Sequence, residues 1–253
     1  MNTLENKVAF ITGSSRGIGA AIATVFAEAG AAVAVHGRDR VALSAVEADL
    51  ERLGGRRVSV VGDVTKFADL ETMRHQIEDS IGPIDIAVAN AGGSFTTPAP
   101  IEEIPEDGWR ASIEGNLTAT FLTIKSILPG MKARKAGNII TISSAAGRRP
   151  HPHSPIPYAA AKAGIHVLTQ DVAAQAGPFG IRVNCIAPET IMTERNQARI
   201  PPLQQSQLVE IHPIRRLGLP DDVARAALFL ASNASAWITG VILDVAGGAV
   251  MTG

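Results

Sequence analysis

Short apolar segments alternate with longer segments of helical character along the whole chain, and this alternation limits the possible folds more than any other feature. A helix that joins two parallel strands crosses one face of their sheet, so repeated alternation predicts a parallel sheet covered on both faces. The predicted strands are residues 8–12, 32–36, 58–62, 84–89, 138–143, 182–187 and 241–245, and the predicted helices are residues 17–29, 40–53, 67–80, 106–132, 158–176 and 221–230. We therefore expect an α/β fold with a doubly wound, seven-stranded parallel sheet.

The size and charge of the chain agree with one domain and limit its partners. A chain of 253 residues with 46% hydrophobic content can bury one large core, so residues 1–253 are predicted to form a single domain. The 23 basic and 24 acidic residues nearly cancel, which gives no reason to expect nucleic acid or an anionic membrane as a partner. No apolar leader precedes Val8 and no apolar stretch has spanning length, so we expect a cytoplasmic protein. Cys185 is the only cysteine and is predicted to be a buried core thiol.

A glycine-rich turn connects the first predicted strand to the first predicted helix. Gly13, Gly17 and Gly19 permit a tight turn and a close approach of the backbone to a ligand, while the free amides of the new helix suit a pyrophosphate. The spacing is Gly-x-x-x-Gly-x-Gly, which differs from the Gly-x-Gly-x-x-Gly of the general dinucleotide fingerprint. An ordinary turn is the alternative. The strand and the helix on either side favour a nucleotide site in a Rossmann-type fold.

Tyr158 and Lys162 lie four residues apart, which places both side chains on one face of a helix. A neighbouring ammonium stabilises a phenolate, so this spacing predicts a lowered tyrosine pKa and a general acid suited to protonating a carbonyl oxygen. The spacing alone is also typical of an ordinary surface pair. The other motifs in the chain favour catalysis.

Taken together, these motifs resemble the short-chain dehydrogenase/reductase family, and within it most of all the 3-oxoacyl-carrier-protein reductases. The resemblance extends over essentially the whole chain. Its residues, in order, are the run from Thr12 to Gly19, Asn90, Ala91 and Gly92, then Asn116, Ser144, Tyr158 and Lys162, and finally residues 180–184, 238–240 and 247–248.

The resemblance implies a catalytic set of Asn116, Ser144, Tyr158 and Lys162. Ser144 lies fourteen residues before Tyr158, where relatives commonly have thirteen, so Ser143 remains an alternative on the opposite face of the strand. The resemblance and the glycine turn together predict cofactor contacts from Gly13, Ser15, Arg16, Gly17, Ile18, Gly19, Arg38, Asp63, Val64, Asn90, Ala91, Gly92, Tyr158, Lys162, Pro188, Ile191 and Thr193.

The end of the second predicted strand bears on the choice of cofactor. Enzymes that use NAD commonly place a carboxylate there, whereas this chain has Gly37. Arg38 and Arg16 offer two guanidinium groups to a 2′-phosphate, which favours NADP(H) over NAD(H). Asp39 is the alternative ribose ligand, but it is better placed to cap the next helix.

Two departures from the family pattern concern the substrate. Glu189 stands where relatives usually have glycine, near the expected nicotinamide carboxamide. Phe179 interrupts the basic positions with which carrier-protein reductases dock their partner, although Arg134 and Lys135 remain, so an acyl carrier protein is a doubtful partner. Two histidines, at positions 151 and 153, have no carboxylate in their own segment, and we predict no metal site.

The predicted function is an NADPH-dependent carbonyl reductase that acts on a small-molecule substrate such as a 3-oxoacyl thioester or a β-ketoester. An alcohol, sugar or steroid dehydrogenase is the alternative, and a non-catalytic cofactor sensor is a further one. Residues 188–219 are expected to be an irregular substrate loop or lid. The resemblance also implies a homotetramer that pairs helices 106–132 and 158–176, with a monomer as the alternative.

Overall fold

The seven apolar segments pair as one parallel sheet in a computed structural model that describes residues 3–151 and 153–251. The strand order is β3-β2-β1-β4-β5-β6-β7, so the chain winds outward from β1 in one direction and then in the other. This confirms the predicted doubly wound, seven-stranded sheet. The strands are β1 (Val8–Ile11), β2 (Ala32–Gly37), β3 (Arg57–Val61), β4 (Ile86–Ala89), β5 (Gly137–Ile142), β6 (Ile181–Pro188) and β7 (Ile242–Val245).

Helices follow the strands as the alternation predicts, with two differences. The predicted helix 106–132 contains a π-helical turn at Glu114–Thr118, and the predicted irregular segment 188–219 contains two helices. Within residues 3–151 and 153–251, no helix combines the length and the apolar character needed to span a bilayer. The helices are α1 (Gly17–Glu28), α2 (Arg40–Arg52), α3 (Phe67–Ile81), α4 (Glu106–Ile113), α5 (Ala119–Arg134), α6 (Ile156–Ala176), α7 (Glu194–Arg199), α8 (Pro202–Ile211) and α9 (Pro220–Ala231).

The sheet has a separate apolar core on each face. In β1, Ala9 and Ile11 pack on the face covered by α1, α2 and α9, whereas Val8 and Phe10 pack on the face covered by α3, α5 and α6. Successive strand residues point to opposite faces, so a strand buried on both faces is apolar throughout. Cys185 of β6 is fully buried, as predicted.

The carboxyl ends of all seven strands lie at one edge of the sheet because the strands are parallel. The order reverses between β1 and β4, and ligands bind such sheets in the crevice at this reversal. Residues 189–219, with α7 and α8, follow β6 at the same edge. We name these residues the lid segment. The prediction of an irregular segment was wrong because it did not detect these two short helices.

Candidate active site

A cleft of about 1210 Å³ opens at the carboxyl edge of the sheet. It extends from the glycine turn after β1, past the ends of β4 and β5, to the lid segment. Asn116 is the one predicted site residue that is not among the described residues lining the cleft. The predicted residues that do line it are Gly13, Ser15, Arg16, Gly17, Ile18, Gly19, Arg38, Asp63, Val64, Asn90, Ala91, Gly92, Ser144, Tyr158, Lys162, Pro188, Ile191 and Thr193.

The glycine turn has the shape of a cradle that side chains would fill. Gly13 has a φ of +63°, and a Cβ at Gly19 would lie 2.5 Å from the carbonyl oxygen of Gly13. A residue with a side chain would therefore force the turn open. The first amides of α1 have no partner within the helix and face this end of the cleft. These features fit a dinucleotide pyrophosphate.

His36 supports the backbone of the glycine turn, a role that was not predicted from the sequence. Its buried imidazole accepts a hydrogen bond from Gly13 N through Nδ1 (2.9 Å) and donates from Nε2 to Gly62 O (3.1 Å). Burial lowers the pKa of His36 below its ordinary value, and this keeps the ring neutral. The only sequence signal was a polar residue at the end of an apolar strand.

The arginines expected near the 2′ position of the cofactor have different environments. Arg16 forms an exposed ion pair with Asp39 through a 2.8 Å contact to Oδ2. The other oxygen of Asp39 accepts hydrogen bonds from Val41 N and Ala42 N, so Asp39 caps α2 as the sequence predicts. Arg38 is exposed at the rim of the cleft and is available to a ligand phosphate.

Two other predicted contact residues also hold the local backbone. The amide nitrogen of Asn90 donates to Thr12 O and Gly13 O, both at 2.9 Å, and this joins the end of β4 to the glycine turn. Asp63 accepts hydrogen bonds from the backbone and the hydroxyl of Thr65, which lower the pKa of its carboxyl group. Both side chains still line the cleft.

Ser144, rather than Ser143, faces the tyrosine. The hydroxyl of Ser143 is buried and bonded to Lys162 O and His166 Nε2, both at 2.7 Å. The hydroxyl of Ser144 lines the cleft and lowers the pKa of Tyr158 by hydrogen bonding. The two hydroxyl groups therefore have separate partners: that of Ser143 is bonded within the fold, and that of Ser144 is directed at Tyr158. This geometry favours Ser144 as the residue that acts in the site.

Burial controls the protonation of the Tyr158 and Lys162 pair. The Nζ atom of Lys162 lies 5.6 Å from the Tyr158 ring centroid and donates to Ile142 O at 2.8 Å. Burial raises the pKa of Tyr158, which is opposite to the direction predicted from the sequence, and Ser144 only partly offsets it. Desolvation lowers the pKa of Lys162 to about 8. The site therefore holds a protonated phenol at neutral pH, which is the form that donates a proton.

The side chain of Asn116 does not line the cleft but is hydrogen-bonded to the backbone of Gly93 and Ser112. It lies in the π-helical turn and is fully buried. Its amide donates to Gly93 O (2.9 Å) and Ser112 O (2.8 Å), and its Oδ1 accepts from Gly93 N (3.0 Å). Asn116 thus fixes the turn that follows β4. A π-helical turn is frequent at functional sites, but hydrophobic periodicity does not detect it.

An acid and a histidine form a buried pair on the substrate side of the cleft. His151 Nε2 lies 3.0 Å from Glu189 Oε1. The pair occupies the position where the sequence departs from the family pattern. Among residues 3–151 and 153–251, no group of three or more histidine, cysteine, aspartate or glutamate side chains is placed to hold a metal ion.

The lid segment contacts both parts of the cleft. A Cβ at Gly17 would lie 3.1 Å from Thr193 Cγ2, so Thr193 sits over the glycine turn. Ile191 forms a parallel bridge with Gly218. Arg195 donates to Ser94 O at 3.2 Å, and its charge lowers the pKa of Tyr158. The sequence did not identify Arg195, because a short exposed helix gives no distinct signal.

The basic positions considered for carrier-protein docking lie at the opposite edge of the sheet. Arg134 and Lys135 directly precede β5, and Phe179 directly precedes β6, so all three are at the amino ends of these strands. Arg134 donates to Ile84 O (2.6 Å), and Lys132 lies over the Phe179 ring at 4.8 Å. Within one chain, these positions therefore contribute no basic charge beside the mouth of the cleft.

The fold and the site define an oxidoreductase of a class that binds NAD(P)(H). A family model described as enoyl-(acyl carrier protein) reductase matches residues 13–250. The 7alpha-hydroxysteroid dehydrogenase of Escherichia coli (strain K12) is 37% identical over 247 residues, which cover 98% of this chain and 95% of that protein. A 3-oxoacyl-[acyl-carrier-protein] reductase of Chlamydia muridarum is 38% identical over 250 residues, which cover 98% of this chain and 99% of that protein.

A solved structure is similar to this chain over almost its whole length. The 3-oxoacyl-[acyl-carrier protein] reductase of Brucella melitensis with bound NAD superposes with a TM-score of 0.91 at 36% identity, covering 99% of this chain and 94% of that one. The chain belongs to the short-chain dehydrogenase/reductase family.

Proposed function

We propose that the protein is an NADPH-dependent carbonyl reductase, with the reaction centred on Tyr158. One observation carries the proposal: a protonated phenol, a serine hydroxyl and a buried ammonium converge at the end of the cleft opposite the glycine turn. Such a set has no use in a sensor that only binds the cofactor. It suits proton transfer to an oxygen atom whose negative charge develops during reduction.

The side chains divide the work of the reaction. A bound reduced nicotinamide supplies a hydride to the carbonyl carbon. Tyr158 donates its proton to the carbonyl oxygen, and Ser144 donates a hydrogen bond to the same atom. Lys162 holds its positive charge beside the tyrosine ring and stabilises the phenolate that forms. Its low solvent exposure of 4% makes this charge more effective than it would be in water.

The preference for NADPH rests on charge. Gly37 stands where NAD enzymes commonly have a carboxylate, and Arg38, which directly follows it, is exposed at the cleft. A 2′-phosphate carries about −1.5 to −2 charges. Arg16 is close to the same place, although Asp39 partly neutralises it. The Brucella melitensis relative has NAD bound, so cofactor titration is the deciding measurement.

For the substrate we propose a small ketone such as a β-ketoester or a short 3-oxoacyl thioester. The 3-oxoacyl-[acyl-carrier-protein] reductases among the relatives support this class. The similarity to 7alpha-hydroxysteroid dehydrogenase supports the second candidate, an alcohol, sugar or steroid dehydrogenase that works in the oxidative direction. The position of Arg134 and Lys135, away from the cleft, gives no support to a docked acyl carrier protein.

The proposed assembly is a cytoplasmic homotetramer. Several large apolar side chains are exposed on the helices that the family resemblance assigns to an interface. Trp109 of α4, Phe121 of α5 and Val167 of α6 are 42%, 46% and 59% exposed. A contiguous interface would remove these side chains from water. Sedimentation or light scattering measures the state directly, and a monomer would contradict it.

The direct test is NADPH oxidation, followed by absorbance, against a panel of β-ketoesters, acyl thioesters, sugars and steroid ketones. The reverse reaction with NADP⁺ and the matching alcohols completes the panel. We expect turnover with at least one carbonyl compound and its loss in Tyr158→Phe. NADPH binding without turnover on any member would favour a non-catalytic sensor instead.

A further inference from the structure

Glu189 is a buried carboxylate in the cleft that the proposed reaction does not use. It follows Pro188 at the end of β6, where the family resemblance predicts glycine. Its side chain is 7% exposed, and that of its partner His151 is 14% exposed. Burying a carboxylate is unfavourable unless the carboxylate gains strong hydrogen-bond partners. Because the family resemblance predicts glycine at this position, the fold itself does not require a carboxylate there.

The known partners of Glu189 leave part of its hydrogen-bonding capacity unused. Oε1 accepts from His151 Nε2 at 3.0 Å, and Oε2 accepts from the Thr190 hydroxyl at 3.2 Å. These partners lower the pKa of Glu189 despite its burial, so the group is a carboxylate at neutral pH. An ionised carboxyl group accepts about four hydrogen bonds. Among the described residues, two of these positions have no partner.

The position of the pair connects it to the substrate rather than to the fold. Glu189 and His151 both line the cleft that contains Ser144 and Tyr158. The charge of Glu189 acts on the tyrosine, whose pKa it helps to raise. The two partners come from different segments, since His151 belongs to the loop between β5 and α6 and Glu189 begins the lid segment. A substrate at Tyr158 therefore lies in the same cavity as an ionised acceptor.

From this geometry we infer that Glu189, held by His151, is a specificity-determining residue that accepts a hydrogen bond from a hydroxyl group of the substrate near the reacting carbon. The inference rests on the proposed carbonyl reduction but changes the preferred substrate: ketones that carry a hydroxyl group are reduced in preference to β-ketoesters and acyl thioesters without one. A site with a buried acceptor rejects an analogue that lacks the donor, because the acceptor is then left unpaired.

The test compares substrates that differ in donor capacity and by one methyl group, and the Glu189 variants separate the two differences because they leave the size of the substrates unchanged. Hydroxyacetone and methoxyacetone both carry an electronegative oxygen beside the carbonyl, but only hydroxyacetone donates a hydrogen bond. A second pair, 2-hydroxycyclohexanone and 2-methoxycyclohexanone, repeats the comparison in a larger ring. The quantity measured is the ratio of kcat/KM for the hydroxy and methoxy members, with NADPH saturating.

We expect a ratio of at least about tenfold in the unmodified enzyme, since the acceptor is charged. Glu189→Gln keeps the size but removes the charge and should reduce the ratio severalfold. Glu189→Leu, which cannot accept, should bring it close to one. His151→Ala should also lower the ratio, because it releases the carboxylate. Glu51→Gln removes a carboxylate from a largely exposed pair in α2, away from the cleft, and should leave the ratio unchanged.

The outcomes separate this inference from the proposed function. Equal kcat/KM values for the hydroxy and methoxy members, with clear turnover of both, would overturn the role of Glu189 and leave carbonyl reduction intact. The role would also be overturned if Glu189→Leu weakened NADPH binding and lowered kcat/KM by the same factor for every substrate. Glu189 would then be assigned to the cofactor. An absence of turnover with every carbonyl compound and every matching alcohol would refute the proposed function and this inference together.

Discussion

The cofactor side of the cleft is held rigidly by buried side chains, whereas the substrate side is built from segments with little packing. Helix α1, which begins at the glycine turn, buries five residues. On the substrate side, α8 buries only Leu208 and α7 buries none. Few buried contacts mean a low free energy of local opening, so we expect the lid segment to open before any part of the cofactor side.

Hydrogen bonds show the same contrast. On the cofactor side, His36, Asn90 and Thr12 connect the ends of four strands, β1 to β4, through buried or half-buried bonds. On the substrate side, the exposed Arg195 bonds to Ser94 O across the cleft, and Glu189 bonds to His151. Under the proposed function, a rigid cofactor side would fix the nicotinamide in space, while a loosely packed substrate side would admit and release different carbonyl compounds. Because the two sides are built differently, we expect that a single substitution can abolish turnover without weakening NADPH binding.

The largest expected effect separates binding from chemistry at Tyr158. Tyr158→Phe removes the acid but keeps the ring, so turnover should fall by at least about 10²-fold while the Kd for NADPH stays nearly unchanged. Single-turnover kinetics and a fluorescence titration of NADPH measure the two quantities. Near-normal turnover in the variant would reject Tyr158 as the proton donor.

Tyr158 is also the only tyrosine in the chain, so its ionisation is directly observable. Because burial raises its pKa, the near-ultraviolet absorbance of phenolate should appear only above the ordinary pH of about 10 for a free tyrosine. The Phe variant supplies the baseline. Ionisation below that pH would show that Lys162, rather than burial, controls the phenol.

The second expected effect is a loss of stability in acid that originates at His166 of α6. The buried ring of His166 donates to Ser143, and burial lowers its pKa to about 4, compared with 6.5 for an unfolded histidine. The unfolded chain therefore takes up this proton first as the pH falls, so the contribution is complete above about 6.5 and is lost towards 4. The free energy of unfolding should fall by up to about 3 kcal/mol over this range.

The matched variants are His166→Gln, which retains a donor for Ser143, and His75→Gln at an exposed site. Urea denaturation at several pH values should give a flatter pH dependence for the first variant and an unchanged one for the second. If both variants follow the unmodified protein, the acid sensitivity originates elsewhere.

The sequence predicted the cofactor side much better than the substrate side, and the reason is physical. The glycine turn and the apolar strands are local patterns, because backbone freedom and alternation depend on neighbouring residues. The His36 bond to Gly13 joins residues 23 positions apart, and alternation gives the face of a side chain but not its partner. The short helices α7 and α8 bury at most one residue each, so they show no periodic apolar face.

A further error has a different cause. The raised pKa of Tyr158 depends on burial by several elements, which a spacing of four residues does not report. The position of Arg134 and Lys135 follows from the sequence, because residues that directly precede a strand lie at its amino end, away from the cleft.

The third expected effect concerns the recognition of the 2′-phosphate on the rigid side. Arg38→Asp replaces a cation with an anion at the rim of the cleft, so NADPH binding should weaken by about 1.5–3 kcal/mol and the preference over NADH should narrow. Arg40→Asp makes the same change of charge two residues later and outside the cleft. Direct titration of both cofactors measures the preference, and tighter binding of NADH by the unmodified enzyme would make the NADP(H) assignment wrong.

The smallest expected effect belongs to a region outside both sides of the cleft. Arg134 and Lys135 lie before β5, whose six residues span about 20 Å, and the Debye length is only about 10 Å at 0.1 M salt. Exposed charges at that distance are largely screened from Ser144 and Tyr158. Arg134→Glu combined with Lys135→Glu should therefore leave kcat/KM on a small β-ketoester or a short acyl thioester almost unchanged, at low and at high salt.

The same acyl group on an acyl carrier protein provides the sharper comparison. Because Arg134 and Lys135 lie away from the mouth of the cleft, the carrier-bound and the short-thiol substrates should react at similar rates, and salt should affect both equally. A large preference for the carrier that disappears in high salt and in the double variant would show that these two residues do attract an acidic partner. The docking surface would then lie at the amino edge of the sheet, and a neighbouring subunit would have to bring it close to a cleft.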